Sequence, residues 1–299
     1  MKEKLKQPTI TAPLLVIFVL TAMHFSRNAL TNLQPDTNIF VAVGVIQLAT
    51  LALPCMIYYL IKGRNLHRPM YIVSRSGPQI LFLIFASMFF ISGSLLIKFL
   101  YYTGGSELIS LVNYYGDISG TYAESSHVEI ILSLIVIPAV CEELFFRGII
   151  FSEYRAFGTA NAVIVSALCF SMLHFSFENF FIYLFIGLLL GFITAVARSI
   201  IPSIALHLLS NTLNIYASDA FLRVTMIKNG EYFIGFVLTM FAGISLVLML
   251  ARVETIFLSY SENPPIEYIP PKSSKNFTKV FFSPTFIFLA VIFICYSLF

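Results

Sequence analysis

Two adjacent carboxylates, Glu142 and Glu143, stand in the run Glu142-Glu143-Leu144-Phe145-Phe146-Arg147-Gly148, inside an otherwise apolar stretch. Two further runs of the same kind follow: Phe170-Ser171-Met172-Leu173-His174 and His207-Leu208-Leu209-Ser210-Asn211. An ionisable side chain at the centre of a bilayer costs at least about 2.5–3.5 kcal/mol, so each of these groups calls for a partner or a task. Carboxylates and imidazoles move protons, and an amide donates to developing negative charge. The set therefore suits activation of water for hydrolysis. Buried Glu and His chains also serve as proton relays in transporters.

Helical geometry separates these groups further. At about 100° per residue, Glu143 and Arg147 fall one turn apart and about 40° from each other, which predicts an ion pair. Glu142 points about 100° away from Glu143 and is left available for chemistry. His207 and Asn211 are one turn apart on a common face. Pro138 removes the backbone bond to Leu134 and is expected to bend the helix beside Glu142. Counted from the predicted cytoplasmic ends at about 1.5 Å per residue, His207 lies roughly 10 Å deep, Glu142 15 Å, Asn211 16 Å and His174 21 Å. Those depths fit one cavity open to the cytoplasm.

The elements that must hold these residues are membrane helices. Of 299 residues, 58% are hydrophobic and 11% charged, against roughly 25% charged in soluble domains. A run of about 20 apolar residues crosses some 30 Å of hydrocarbon, and in lipid only a helix satisfies its own backbone within such a run. The predicted fold is all-α, a polytopic bundle of about eight to nine spans. They lie near 10–27, 39–61, 79–102, 128–152, 160–176, 179–197, 201–217, 232–252 and 283–299. In the last of these, Ser283-Pro284 reads as an N-cap followed by a first-turn proline.

With the N-terminus inside, fourteen Lys and Arg residues fall in inner segments. Only Arg27, Lys98, Arg223 and Lys228 fall in outer ones. The positive-inside rule then places the N-terminus and segment 253–282 in the cytoplasm; a prokaryotic cell membrane is the expected location. The net charge of +3 is thus a topology signal; no basic, aromatic-interleaved stretch argues for nucleic acid. The lysines before the first apolar run resemble a signal peptide, but Thr21–Phe25 lacks small-x-small cleavage chemistry, so an uncleaved first span is expected. Cys55, Cys141, Cys169 and Cys295 fall inside spans without any C-x-x-C and read as small apolar residues.

Three regions follow. Residues 1–126 hold three spans and an outer loop, in which Ser106–Tyr115 suits a short interfacial helix. Residues 127–217 hold four closely spaced spans and all the polar runs above, a four-helix catalytic core. Residues 218–299 hold two spans joined by a proline-rich segment, SENPPIEYIPPKSSKN, expected to be mobile. Gly187-Leu-Leu-Leu-Gly191 with Ala195 predicts a close helix contact at the centre of the core.

Taken together and in order, EELFFRG, FSMLH and HLLSN resemble the E-E-x-x-x-R, F-x-x-x-H and H-x-x-x-N motifs of the CAAX prenyl protease and bacteriocin-processing (CPBP) family of intramembrane peptidases. The resemblance covers about 90 residues, 127–217. It implies that Glu142 is the essential carboxylate and His174 its partner, with His207 and Asn211 lining the pocket and Glu143 and Arg147 in support. Peptide hydrolysis fits these groups: Glu142 and His174 to activate water, His207 and Asn211 to stabilise the oxyanion. The implied partners are a membrane-associated peptide or protein, the prenylated C-terminal peptide being the substrate type that the resemblance implies, and the lipid bilayer. No cofactor is required in that reading.

Alternatives stay open at this level. Glu142, His174 and His207 make a two-His-one-carboxylate set for zinc, although Asn211 is a poor zinc ligand and no H-E-x-x-H occurs. A non-catalytic binding or immunity protein, or a proton-coupled transporter, could carry the same residues; no repeated half with broken helices supports the last. A two-aspartate protease is excluded, since Asp36, Asp117 and Asp219 all lie outside span interiors, and no G-x-S-G serine motif is present.

Overall fold

The computed structural model is helical throughout and describes residues 8–30, 38–62, 77–103, 127–216, 230–262 and 277–298. The expected interfacial helix at 106–115 and most of the proline-rich segment lie outside the described residues. In chain order the helices are α1 (Pro8–Leu30); α2, continuous through Ile39–Gln47, Leu48–Ala52 and Leu53–Lys62; and α3 (Gly77–Thr103). The composite α4 runs from His127–Ile130 to Phe151–Tyr154 and closes in a 3₁₀ turn, Arg155–Phe157. Then come α5 (Thr159–Met172), α6 (Phe180–Ala197), α7 (Ile201–Tyr216), α8 (Gly230–Glu262), α9 (Phe277–Phe281) and α10 (Pro284–Leu298).

Among the described residues, five helices are long and apolar enough to cross a membrane: windows Thr9–Ser26, Ile39–Ile61, Pro78–Leu100, Phe180–Ala197 and Tyr232–Ser259. The chain is a multi-pass integral membrane protein. The four remaining expected spans fall short of that criterion for two physical reasons. α5, α7 and α10 are only 14, 16 and 15 residues long, and α4 carries Glu142, Glu143 and Arg147 inside its apolar run.

The chain divides into two compact units. The first comprises residues 1–72, 127–204 and 269–299. Here α1 and α10 run parallel, because Thr285 Oγ1 donates to the Thr9 carbonyl near one end and the His24 and Tyr296 rings stack 4.1 Å apart near the other. Helix α2 lies against α4 through Gly44, where a Cβ would meet Ile137 Cδ1 and Ser133 Oγ at 3.4 Å. The tightest contact is between α5 and α6: a Cβ on Gly187 would stand 2.9 Å from Ala167 Cα, and one on Gly191 3.4 Å from Val163 Cγ1. The expected small-residue stripe is therefore the seam between these two helices.

The second unit comprises residues 73–126 and 205–268. Its described helices are α3, α8 and all but the first turn of α7. Gly235 of α8 packs on Phe99 of α3, so closely that a Cβ would lie 2.8 Å from the ring. Much of α8 is apolar and exposed, with Tyr232, Phe233, Phe236 and Val247 each more than 60% accessible, as expected of a helix whose solvent is lipid.

Two local outcomes depart from the sequence reading. Ser283 does precede the first residue of α10, but its hydroxyl donates back to the Val280 carbonyl at 3.0 Å instead of capping forward. In α4, the helix answers Pro138 with a wide π-helical segment just before it, Ile131–Val136; α2 does the same at Leu48–Ala52 ahead of Pro54. The larger turn absorbs the missing N–H and the ring of the proline.

Candidate active site

The first carboxylate motif sits where α4 changes winding. Ile137–Glu143 is α-helical, and Leu144–Ile150 is π-helical. A turn closed by i→i+5 bonds holds more residues than the 3.6 of an α-helix, so residues four apart line up more nearly than α geometry predicts. Glu143 and Arg147 exploit this. Arg147 Nη1 donates to Glu143 Oε1 at 2.6 Å, and both side chains are wholly buried. Arg147 Nη2 donates to the Gly187 carbonyl on α6 at 3.0 Å, and the guanidinium lies 4.9 Å above the Phe170 ring of α5. One arginine thus ties three helices together while its charge is matched by Glu143. Ser166 of α5 adds a bond to the Phe146 carbonyl at 3.0 Å.

Glu142, the adjacent residue, is also buried, at 8% accessibility. Of the two carboxylates, Glu143 is the one ion-paired with Arg147.

His174 differs from its expected setting. Helix α5 ends at Met172, so the imidazole stands in the turn beyond it, with the His174 N–H bonded to the Ser171 carbonyl at 3.3 Å. The following Phe175 adopts φ 50°, a left-handed conformation rare for a bulky residue. The side chain is nevertheless well fixed. His174 Nδ1 lies 2.9 Å from the Phe170 carbonyl, an acceptor only, so Nδ1 carries the proton and neutral His174 presents Nε2 as an acceptor. The ring stacks on Tyr183 of α6 at 3.6 Å between centroids. It also lies 4.9 Å from Phe170, so that one ring contacts both His174 and Arg147.

His207 and Asn211 lie one turn apart on α7, His207 buried and Asn211 half-buried. They belong to the second unit, whereas Glu142, Glu143, Arg147 and His174 belong to the first. The start of α7 is anchored to α6 within the first unit: Thr194 Oγ1 and Ser203 Oγ lie 2.6 Å apart, and Ser203 donates to the Leu190 carbonyl at 3.0 Å. Arg198 at φ 51° makes the sharp connection between the two helices.

Among the described residues, no group of three His, Cys, Asp or Glu side chains could hold a metal ion. Of the alternative zinc set, Glu142 and His174 lie in the first unit and His207 in the second. Sequence reasoning missed Tyr183 as a platform for His174 and the Gly187 carbonyl as an acceptor for Arg147. Tyr183 and Gly187 are one turn apart on α6, the spacing that would have flagged a shared face.

Residues 124–213 match the family model described as type II CAAX prenyl endopeptidase, Rce1-like. The match contains all three motifs. No curated protein and no solved structure matches the chain.

Proposed function

We propose, for a chain that belongs through residues 124–213 to the Rce1-like type II CAAX prenyl endopeptidase family of membrane peptidases, that Glu142, His174, His207 and Asn211 together hydrolyse a peptide bond near the C-terminus of a prenylated, membrane-associated substrate. Water donates one proton toward Glu142 and the other toward His174 Nε2, and its oxygen attacks the scissile carbonyl. His207 and Asn211 donate to the resulting oxyanion. Protonated Glu142 then passes its proton to the leaving amine. No metal takes part.

One observation supports this reading: the wholly buried Glu143–Arg147 ion pair stands in the helix immediately beside a second buried carboxylate, Glu142. The tautomer imposed on His174 by the Phe170 carbonyl supports the same chemistry. The catalytic core in this reading is 127–217, flanked by helices of 1–126 and 218–299 in a bundle of eight to nine spans. The N-terminus faces the cytoplasm of a prokaryotic cell.

The test is cleavage of an S-farnesyl peptide by the purified chain in nanodiscs, read by mass spectrometry. Glu142→Gln should abolish cleavage while the protein remains folded. Cleavage by Glu142→Gln at the wild-type rate would rule out this role for Glu142. Comparing peptide termini in membranes with and without that variant would then identify the natural substrate.

A further inference from the structure

Lys98 is an amine inside a helix that spans the membrane, in the window Pro78–Leu100 of α3. Its side chain is half-buried, and Nζ donates to Asn214 Oδ1 on α7, within the same compact unit. Phe99, the next residue, packs on Gly235 of α8. Among the described residues no carboxylate pairs with this ammonium; its partner is a neutral amide. An ammonium carries three N–H donors, of which Asn214 takes one. A partly buried cation near the end of a span, with only an amide beside it, is set to receive an anion.

The position of Asn214 suggests which anion. His207, Asn211 and Asn214 share one face of α7, within about 60°. Asn214 lies seven residues beyond His207, about 10.5 Å along the axis. A CAAX substrate ends three residues after its prenylated cysteine. An extended tripeptide spans roughly 10 Å, so for cleavage directly after that cysteine the terminal carboxylate would stand that far from the scissile carbonyl. The two lengths agree.

We infer that Lys98, oriented by Asn214, binds the C-terminal carboxylate of the substrate and thereby sets the distance between the chain end and the bond that is cut. This deepens the peptidase reading and rests on it: His207 and Asn211 mark the scissile carbonyl, and Lys98 marks the end of the tail.

The experiment separates the two. A fluorescent S-farnesyl peptide ending in a free carboxylate, and the same peptide as its C-terminal amide, are titrated into Glu142→Gln protein in neutral-lipid nanodiscs. The carboxylate should bind about 10- to 100-fold tighter, the range for a hydrogen bond to a charged group. Adding Lys98→Met should bring the ratio close to one, and Lys98→Arg should keep it well above one. Equal binding of the two peptides without the Lys98 change, or a preference that survives Lys98→Met, would overturn the inference. Cleavage by the wild type is read in parallel. Cleavage without carboxylate preference sinks this inference and leaves the peptidase reading standing; preference without cleavage does the reverse.

Discussion

Arg147 and Lys98 are both cations on membrane helices, and their surroundings differ in kind. Arg147 is wholly buried, bonded at 2.6 Å to a carboxylate, bonded again to a backbone carbonyl, and covered by an aromatic face. Lys98 is half-buried beside the side-chain oxygen of Asn214. The first arrangement neutralises a charge and uses it to fix helices. The second orients a charge and leaves it chemically available. The distinction lies in the partner: a carboxylate completes a structural unit, whereas an amide oxygen only aims the donor. Charge inside a membrane protein is therefore informative only with its neighbours attached.

The largest effect should come from undoing the completed pair. Arg147→Met leaves Glu143 as a buried, uncompensated carboxylate, at a cost of about 3–5 kcal/mol. Thermal unfolding in detergent should show this, with the double variant Glu143→Leu/Arg147→Met recovering much of the loss. A double variant as unstable as the single one would mean that the pair is not the structural unit described. Next comes Asn211→Ala, which should reduce kcat by roughly 10²–10³-fold with little change in KM, because an oxyanion donor acts mainly in the transition state. An equal loss in 1/KM would instead place Asn211 in substrate binding.

Smaller effects test the packing that serves Arg147. Gly187→Ala forces a Cβ to 2.9 Å from the Ala167 backbone and should destabilise by about 1–3 kcal/mol. Gly191→Ala meets Val163 at an ordinary 3.4 Å and should be milder in the same unfolding assay. The smallest change is expected for Lys98→Met, within about 1 kcal/mol, because removing a desolvated charge offsets the lost hydrogen bond. A loss as large as that of Arg147→Met would put Lys98 in the structural class and erase the contrast.

Much of this was legible in the sequence because lipid simplifies the problem. Apolar length located α1, α2, α3, α6 and α8 to within a few residues, apart from the longer C-terminal end of α8. Spacing alone paired Glu143 with Arg147 and found the Gly187–Gly191 seam. The end of α5 was not legible. Phe170 to His174 has helical spacing and contains no glycine or proline, yet the helix stops at Met172 and the chain turns through a left-handed Phe175. The cause is tertiary: His174 is held by Tyr183 and Phe170 outside the helix, and no propensity encodes that. The π winding of α4 was equally hidden, since Pro138 announces a disturbance without saying which winding absorbs it. Lys98 looked like a loop charge because it lies near the end of a span; only the side-chain contact with Asn214 distinguishes it from a topology signal.

The wide winding at Leu144–Ile150 has a consequence for how the segment tolerates change in length. A turn closed by i→i+5 bonds contains one residue more than an α-turn needs, so the motif stores a surplus residue inside an otherwise continuous helix. Deleting Phe145 could let the segment relax to α winding with its flanks still in register, and the chain would remain helical across the gap. Glu143 and the arginine would then be separated by three residues instead of four, and the guanidinium would swing away from the Gly187 carbonyl. The surplus residue thus acts as a phase setting: the helix can do without it, whereas the arginine cannot.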